Sequence, residues 1–482
     1  MTMQTQEPKT RRRFQTTDQD AFALLSGDHN PLHVDPLAAR RLIFGGPVVH
    51  GVHLLLWALD VFVRPTKVSI TNLRVQFVAP ILVGAEILLD GKTSDPSRHH
   101  IRITNNNGEP VVVIEVTWAD YNNDPKNWGA SLNPDCPEIK VPRIVNSKDV
   151  ANKLGGLDLH LNPNLAGKLF PHLSKAIDPS LLAAVLATSR IVGMEYPGQH
   201  SIFSSMSFDA VEKPTSSSTL DYRVVRVRPG LSVTDIEISG GGLEGRIRAL
   251  FRPPPAIQAK IVELSAQVKK HEFAGQRALI IGGSRGLGEV TAKLLAVGGA
   301  DVRLTYHIGK EDGERVKNEI TDSGGHAKCF AFDVLAPVPH LTKQLENGRQ
   351  TTMLGYFATP HIGAGTNNSY SDDYFQRLMR TYVDGFRSTV KAISADSGNN
   401  KLKVLYPSSI YVVDTSSKVK EYAAAKEAGE RVCAELSSEI GFKFVAPRFP
   451  RLATDQTVHL FSEQAPDATT ILLDAIRQLM EK

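Results

Sequence analysis

The sequence predicts a multidomain chain, in which an α+β region of sheet-wrapped helices precedes an α/β region with a doubly wound parallel sheet. The 482 residues leave room for about three domain-sized units. Up to about residue 255, a very apolar helix followed by several strands occurs twice. From Gln276 onwards strands and helices alternate, which is typical of a parallel sheet covered by helices.

The first apolar helix is predicted over residues 46–63. It is apolar on nearly every face, so it must be enclosed on most sides, and an antiparallel sheet wrapped around it would do this. The strands expected to form that sheet cover residues 69–77, 85–89, 100–103 and 110–118. We therefore assign residues 15–125 to a first domain half.

The second unit repeats this order of elements. Asp178 followed by Pro179 is a good helix start, because an N-cap residue precedes a proline at the first helical position. An apolar run at 181–192 follows, and then strands at 201–208, 220–227, 232–239 and 243–251. This pattern predicts a second half at residues 126–255 that arose by internal duplication.

Three consecutive prolines at 253–255 end the second unit, because such a run continues neither a helix nor a sheet. A helical linker is expected over residues 256–273, and a third domain over 274–482. In that domain, strands at 278–281, 301–306 and 327–332 alternate with helices at 288–297 and 313–321.

Composition favours a cytoplasmic protein. The net charge of +4 is too small to indicate a nucleic-acid partner, and three widely spaced cysteines argue against a disulfide framework and a metal site. We expect no signal peptide and no membrane span, since the apolar residues 48–63 are too few to cross a bilayer. Residues 1–14, with three arginines, are predicted to be a disordered tail.

The N-terminal chemistry lies in residues 28–33, DHNPLH. Asn30 before Pro31 enforces a turn, which can bring Asp28 and His33 to a common point. A carboxylate and an imidazole that converge on one water form an acid/base pair. The alternative is an ordinary turn in which both side chains only satisfy local backbone groups.

Together with residues 44–51, FGGPVVHG, this motif resembles the MaoC-like (R)-specific enoyl-CoA hydratases. The resemblance implies a double hot-dog fold over residues 15–255, in which Asp28 and His33 activate the water that adds across the 2,3 double bond and protonate Cα. It also implies that Gly51 offers its backbone N–H to the thioester oxygen. His50 is expected to fix the helix start. The second half lacks the motif, so it is expected to bind the acyl tail, with one active site per pair of halves.

The C-terminal chemistry begins with a glycine-rich loop between a strand and a helix. Its glycines let the backbone approach a pyrophosphate at a helix N-terminus. The residues assigned to cofactor binding in this loop are Gly282, Ser284, Arg285, Gly286, Leu287 and Gly288. The loop resembles that of the short-chain dehydrogenase/reductase family, which implies a Rossmann-like domain over residues 274–482.

That family needs a serine, a tyrosine and a lysine, and Ser409, Tyr422 and Lys426 stand in the expected order. Lys426 lies one helical turn after Tyr422, so it can lower the pKa of the phenol. The resemblance implies that Tyr422 transfers the carbinol proton, that Ser409 binds the carbonyl oxygen, and that Lys426 also binds the cofactor.

We expect NADP(H) as the cofactor. An NAD-preferring domain has an acidic residue at the end of its second strand, whereas this strand runs into His307 without a carboxylate. Arg285 in the glycine loop also suits a 2′-phosphate. Asp333, after the third strand, resembles the adenine-contacting aspartate of the family.

The C-terminal region departs from the family in three places. Residues 354–360 replace an Asn-Asn-Ala-Gly sequence, Tyr382 stands where a catalytic asparagine is usual, and a last strand is missing. A weakened or purely structural domain therefore stays open as an alternative.

The function predicted from these motifs is that of a bifunctional enzyme acting on (3R)-hydroxyacyl thioesters of CoA or acyl carrier protein. One domain would interconvert enoyl and 3-hydroxyacyl forms, and the other 3-hydroxyacyl and 3-ketoacyl forms with NADP(H), in a homodimer. A second interpretation is a monofunctional dehydratase whose Rossmann domain only dimerises or binds nucleotide. A third is a non-catalytic scaffold that binds acyl carriers, against which the intact Asp28, His33, Tyr422 and Lys426 argue.

Overall fold

The computed structural model describes residues 9–481 except 64–65, 96, 121–131, 212–217, 229–231, 337–340, 342–344, 346–349, 361–371, 398–401, 415–418, 456 and 458–465. The chain divides into two compact units that meet in sequence between Pro254 and Pro255. The boundary predicted at residue 125 lies outside the described residues. None of the described helices is long and apolar enough to cross a membrane.

The first unit is built on one ten-stranded antiparallel sheet. Its strands are β1 (Thr10–Arg13), β2 (Val68–Phe77), β3 (Glu86–Asp95), β4 (Arg98–Asn105), β5 (Pro110–Asp120), β6 (Leu154–Asp158), β7 (Ser201–Ala210), β8 (Thr219–Arg228), β9 (Val233–Gly240) and β10 (Leu243–Phe251). They neighbour one another in the order β1-β3-β4-β5-β2-β7-β10-β9-β8-β6. Alternating apolar side chains turn one face of the sheet towards a common core.

Two apolar helices, Gly51–Phe62 and Pro179–Arg190, pack in that core, one for each half of the sheet. The second is capped as predicted, because Asp178 Oδ1 accepts the Ser180 N–H at 2.7 Å. Strand β2 of the first half pairs with β7 of the second, which makes the sheet continuous. A helix followed by four strands thus occurs twice, which confirms the predicted order of elements.

Shorter helices complete the first unit. They are Thr16–Ser26, Pro31–Val34, Pro36–Ala39, Pro163–Leu169 and Leu173–Ala176, with a 3-10 turn at Ser147–Asp149 and a π-helical turn at Ile191–Glu195.

The prediction of a disordered tail was wrong for residues 10–13, which form the edge strand β1. Arg11 and Arg13 reach Glu86 on β3 at 3.2 and 3.3 Å, so the basic run pairs with an acidic partner that is remote in sequence. Arg12 instead lies 4.1 Å from the centre of the Phe14 ring.

The buried helix begins at Gly51, five residues after its predicted start. The residues before it are held extended, because Val48 forms an isolated bridge with Leu82 and the Val49 N–H donates to the Ile81 carbonyl. Gly51 is therefore the first residue of the helix.

The second unit contains a six-stranded parallel sheet, which confirms the predicted α/β region. Its strands are β11 (Arg277–Ile281), β12 (Asp301–Tyr306), β13 (His326–Ala331), β14 (Met353–Tyr356), β15 (Lys403–Leu405) and β17 (Lys443–Val445), with β16 (Ser408–Ser409) and β18 (Arg448–Phe449) pairing separately. The order in the sheet is β13-β12-β11-β14-β15-β17. The helices are Ile261–Leu264, Gly286–Val297, Lys310–Asp322, Asp372–Met379, Phe386–Ser397, Lys420–Ile440 and Ala468–Met480, with a π-helical turn at Arg380–Gly385 and a 3-10 turn at Ile410–Val412.

The segment predicted as a helical linker over residues 256–273 is part of the second unit. Its short helix buries Ile261 and Leu264 in the core of that unit. The ammonium group of Lys293 also donates to the Ala259 carbonyl at 3.1 Å. Because its apolar side chains are buried in this core, the segment is not a free connector.

Two candidate active sites

The turn that carries Asp28 and His33 follows the helix Thr16–Ser26, which ends in a left-handed glycine at Gly27. Asn30 caps the next helix, since its Oδ1 accepts the Leu32 N–H at 3.0 Å. Its Nδ2 also donates to the carbonyl oxygens of Gly193 at 2.9 Å and Gly198 at 3.2 Å. The predicted role of Asn30 in holding the turn thus extends to residues of the second half.

Asp28 is 3% exposed, and each carboxylate oxygen has a partner. The Ser189 hydroxyl donates to Oδ2 at 2.6 Å, and the Asn30 N–H donates to Oδ1 at 3.2 Å. Burial raises the pKa of Asp28, while the charge of His33 and the Ser189 hydrogen bond oppose the rise. A Cβ at Gly193 would overlap the Asp28 carboxylate, so only glycine fits at this position of the π-helical turn.

His33 lies with its Nδ1 2.7 Å from the Val48 carbonyl oxygen. A carbonyl only accepts, so Nδ1 carries the proton and Nε2 of the neutral ring keeps a lone pair. Burial lowers the pKa of His33, with Asp28 opposing, so the ring is neutral at neutral pH. The structure therefore brings together a carboxyl group and a neutral imidazole, as the motif predicted.

His50 contacts both residues of this pair. Its ring stacks on His33 with centroids 3.8 Å apart. Its Nδ1 lies 2.9 Å from Gln19 Oε1 and its Nε2 lies 3.1 Å from the Asp28 carbonyl. Gln19 Oε1 also accepts the His50 backbone N–H at 3.0 Å, which fixes the residue before the buried helix. These contacts support the structural role expected for His50.

Asp28, His33 and His50 each offer a ligand atom within 4.8 Å of the others, a spacing that a metal ion could use. The hydrogen bonds favour proton chemistry instead. Both ring nitrogens of His50 lie against amide or backbone carbonyl oxygens, and the Asp28 carboxylate already accepts two hydrogen bonds.

Gly51 begins the buried helix beside this turn. As the first residue of the helix Gly51–Phe62, its N–H has no acceptor within the helix. A Cβ there would lie 3.0 Å from the ring of Phe77. This position is consistent with the predicted donation of its N–H to an oxyanion.

In the second unit, the glycine loop joins β11 to the helix Gly286–Val297. Gly282 has φ +73°, and a Cβ there would lie 2.9 Å from the Phe357 backbone. A Cβ at Gly288 would overlap the Gly282 carbonyl oxygen. The loop therefore needs its glycines for packing, and it leaves a helix N-terminus that could hold a phosphate. Ser284 and Leu287, assigned to the same loop, are buried and half-buried.

Arg285 and His307, the two residues on which the NADP(H) prediction rests, both face carboxylates. Arg285 Nη1 lies 3.4 Å from Asp455 Oδ2, and His307 Nε2 lies 3.7 Å from Asp333 Oδ2. Asp333 follows the neighbouring strand β13 and lies at the end of β12, although β12 itself ends without an acidic residue.

The predicted catalytic trio lies together. Ser409 hydrogen-bonds Tyr422, which opposes the rise of the Tyr422 pKa to about 12 caused by burial. Lys426 is buried, and its Nζ donates to the Pro407 carbonyl at 2.7 Å. Burial lowers the pKa of Lys426 to about 7. Its Nζ lies 5.8 Å from the centre of the Tyr422 ring.

Tyr382, at the usual asparagine position, packs against Lys426. The Lys426 Nζ lies 3.9 Å from the centre of the Tyr382 ring, a cation–π distance. The Tyr382 hydroxyl hydrogen-bonds Thr359, and its backbone carbonyl accepts the Tyr406 hydroxyl at 3.2 Å. The departure noted in the sequence therefore places an aromatic ring beside the lysine.

Several residues of these sites gave no usable sequence signal. They are Gln19, Ser189 and Gly193 at the first site, and Thr359 and Tyr406 at the second. Ser189 and Asp28 are 161 residues apart, so only the pairing of the two halves brings them together.

Two families match separate parts of the chain. Residues 2–111 match the family described as MaoC like domain, and residues 276–446 match the short chain dehydrogenase family. An (R)-specific enoyl-CoA hydratase from Aeromonas caviae is 39% identical over 85 residues, which cover 17% of this chain and 63% of the hydratase. Protein MaoC from Klebsiella aerogenes is 38% identical over 81 residues, which cover 16% of this chain and 24% of that protein.

A different set of known proteins is similar to the C-terminal part of the chain. Uncharacterized oxidoreductase YgfF from Escherichia coli is 28% identical over 171 residues, which cover 34% of this chain and 69% of that protein. A short-chain dehydrogenase from Burkholderia cenocepacia, solved in complex with NADP, covers 43% of this chain and 91% of its own at 22% identity and a TM-score of 0.37. A short-chain dehydrogenase/reductase from Serratia marcescens covers 43% and 92% at 18% identity and a TM-score of 0.40. The chain therefore carries a MaoC-like domain at its N-terminus and a short-chain dehydrogenase domain at its C-terminus.

Proposed function

We propose that the protein is a bifunctional acyl-thioester enzyme. Its first unit would hydrate 2-enoyl thioesters to (3R)-hydroxyacyl thioesters or catalyse the reverse dehydration. Its second unit would interconvert 3-hydroxyacyl and 3-ketoacyl thioesters with NADP(H). The observation that carries the proposal is the buried Asp28 carboxyl beside a neutral His33, next to the helix N-terminus at Gly51. The similarity to an (R)-specific enoyl-CoA hydratase supports the same reaction.

The first unit is proposed to be a double hot-dog. Two helices lie in one core, and each is followed by four strands of a single sheet. The first half supplies Asp28 and His33, and the second supplies Ser189 and Gly193. The second half would thus complete the active site as well as receive the acyl tail.

Hydration would begin when His33 Nε2 accepts a proton from the water that attacks C3. The pair of electrons from the double bond moves onto the thioester oxygen, where the Gly51 N–H at the helix N-terminus stabilises the charge. The Asp28–His33 pair then returns one proton to C2. The net change is the addition of one water molecule, with both side chains restored.

The second unit would bind NADP(H) in the glycine loop. The fit is supported by the close packing at Gly282 and Gly288, which keeps the loop free of side chains at the helix N-terminus. When bound, the reduced nicotinamide supplies a hydride to C3 of the ketoacyl group. Tyr422, neutral at pH 7 with a pKa of about 12, would give its proton to the carbonyl oxygen, and Ser409 would hold that oxygen.

One observation favours a second candidate function, a monofunctional dehydratase with a degenerate second unit. Lys426 lies against Tyr382 and the Pro407 carbonyl, whereas its role would be to lower the pKa of Tyr422. In the described structure, that pKa is raised instead.

Spectrophotometry decides between the two candidates. The full-length protein should hydrate crotonyl-CoA, and it should consume NADPH with acetoacetyl-CoA if it is bifunctional. Hydration without NADPH consumption for any 3-ketoacyl thioester would leave the dehydratase. If Asp28→Asn retains hydration and Tyr422→Phe retains NADPH consumption, both site assignments are wrong.

A further inference from the structure

Arg252 is a buried cation beside the first site that the proposed hydration does not use. It follows β10, and its backbone N–H donates to the His200 carbonyl at 2.9 Å. The residue is only 3% exposed. Its Nη2 donates to the Gln199 carbonyl at 2.6 Å, but within the described part of the chain neither Nε nor Nη1 has a hydrogen-bond partner.

No carboxylate of the described residues raises the pKa of this guanidinium. Burial alone lowers the pKa of Arg252 to about 10, so the group remains positively charged at neutral pH. Other arginines of the same sheet are matched by acids. Arg248, for example, reaches Asp235 at 2.7 Å. A buried cation without an acidic partner is costly, and an anionic ligand would offset that cost.

The guanidinium lies near the reacting end of the site. The Gln199 carbonyl accepts a hydrogen bond from Arg252 Nη2 and a second one, at 3.2 Å, from the side-chain amide of Asn30. Asn30 belongs to the turn that carries the acid/base pair. Burial lowers the pKa of His33, Asp28 and the Val48 hydrogen bond oppose this, and the charge of Arg252 adds a smaller lowering effect. His200 adds a second unused group, because its buried Nδ1 has no partner among the described residues.

We infer that Arg252 binds a free carboxylate on the acyl group of the substrate, so that the preferred thioester is the half-ester of an unsaturated dicarboxylic acid. This inference rests on the proposed hydratase function. A guanidinium matches a planar carboxylate in geometry and charge. A phosphate of the carrier offers the same chemistry. However, the pantetheine arm separates the phosphate from the double bond, whereas Arg252 shares the Gln199 carbonyl with Asn30 of the turn that carries the acid/base pair.

Two substrates that differ only by the carboxylate provide the test. Glutaconyl-CoA is crotonyl-CoA with a carboxylate on C4. The wild-type protein should hydrate glutaconyl-CoA with the higher kcat/KM, and Arg252→Met should lower the ratio of the two kcat/KM values by roughly a hundredfold. The matched control is Arg248→Met, whose guanidinium is already paired with Asp235, and it should leave the ratio as in the wild type.

The carrier phosphate is tested with pantetheine thioesters of the same two acids. If Arg252→Met weakens both CoA thioesters alike and neither pantetheine thioester, Arg252 binds the carrier and the inference is wrong. Equal kcat/KM for the two acids in the wild type also overturns it. Calorimetry of the wild type with glutaryl-CoA and butyryl-CoA measures binding without a variant that must fold and without turnover. We expect glutaryl-CoA to bind more tightly. If neither enoyl thioester is hydrated, the proposed hydratase fails, while the calorimetry still tests the carboxylate site.

Discussion

Removal of the Ser189 hydroxyl should shift the pH dependence of hydration. This hydroxyl donates to Asp28 Oδ2 at 2.6 Å, and Asp28 is buried, so the hydrogen bond stabilises the ionised carboxylate. A hydrogen bond to a charged group contributes about 1.5–3 kcal/mol. Since about 1.36 kcal/mol corresponds to one pH unit, Ser189→Ala should raise the pKa of Asp28 by about one to two pH units.

The sign of the effect follows from the role of the carboxylate. Burial already raises the pKa of Asp28, and the Ser189 bond opposes that rise, so its loss leaves the neutral carboxyl more favoured. If hydration needs ionised Asp28, the acidic limb of kcat/KM should move to higher pH by about one to two pH units. Activity well above the new pKa should fall much less than activity below it.

The assay is the loss of enoyl-thioester absorbance with crotonyl-CoA, measured from acid to alkaline pH. Ser180→Ala is the matched control. Ser180 lies on the same helix and is buried, but its hydroxyl has no hydrogen-bond partner among the described residues. The control should keep the wild-type profile. An unchanged acidic limb in Ser189→Ala, with activity intact, would refute the assignment of Asp28 as the titrating group.

Three further predictions follow from the two sites. Asp28→Asn keeps the turn but removes the carboxylate, so crotonyl-CoA hydration should fall by roughly a hundredfold or more, and a near-wild-type rate in both this variant and His33→Ala would contradict the acid/base pair. Arg285→Ala should narrow the preference for NADPH over NADH in fluorescence titrations, whereas a clear NADH preference in the wild type would contradict the cofactor assignment. Tyr422→Phe should abolish acetoacetyl-CoA reduction and leave hydration intact, and chiral chromatography should find the 3R alcohol in the wild type. A 3S product would contradict the bifunctional proposal.

The parts of the fold that the sequence predicted are those with a local signal. Apolar periodicity indicated both buried helices and the strands after them, and the Asn30-Pro31 turn indicated that Asp28 and His33 converge. The strand Thr10–Arg13 was missed because its arginines look like a solvated tail. Its pairing depends on Glu86, far along the chain.

The environment of the acid/base pair could not be predicted for the same reason. Neither the hydroxyl of Ser189 nor the missing Cβ of Gly193 has a meaning until the second half folds onto the turn. The same holds for Tyr382, because its cation–π contact with Lys426 joins two separate helical segments. Chemistry that depends on contacts between distant segments leaves no spacing pattern in the sequence.

These contacts explain why a half without its own motif would be retained. The second half holds the turn with Asp28 and His33, because Asn30 anchors it to the carbonyls of Gly193 and Gly198. Ser189 then holds the Asp28 carboxylate from the same segment. Loss of the second half would remove these hydrogen bonds and expose the carboxylate to water. Its pKa would then return towards the ordinary value. The second half thus acts on the chemistry by fixing the position and protonation of Asp28, without supplying a reacting group.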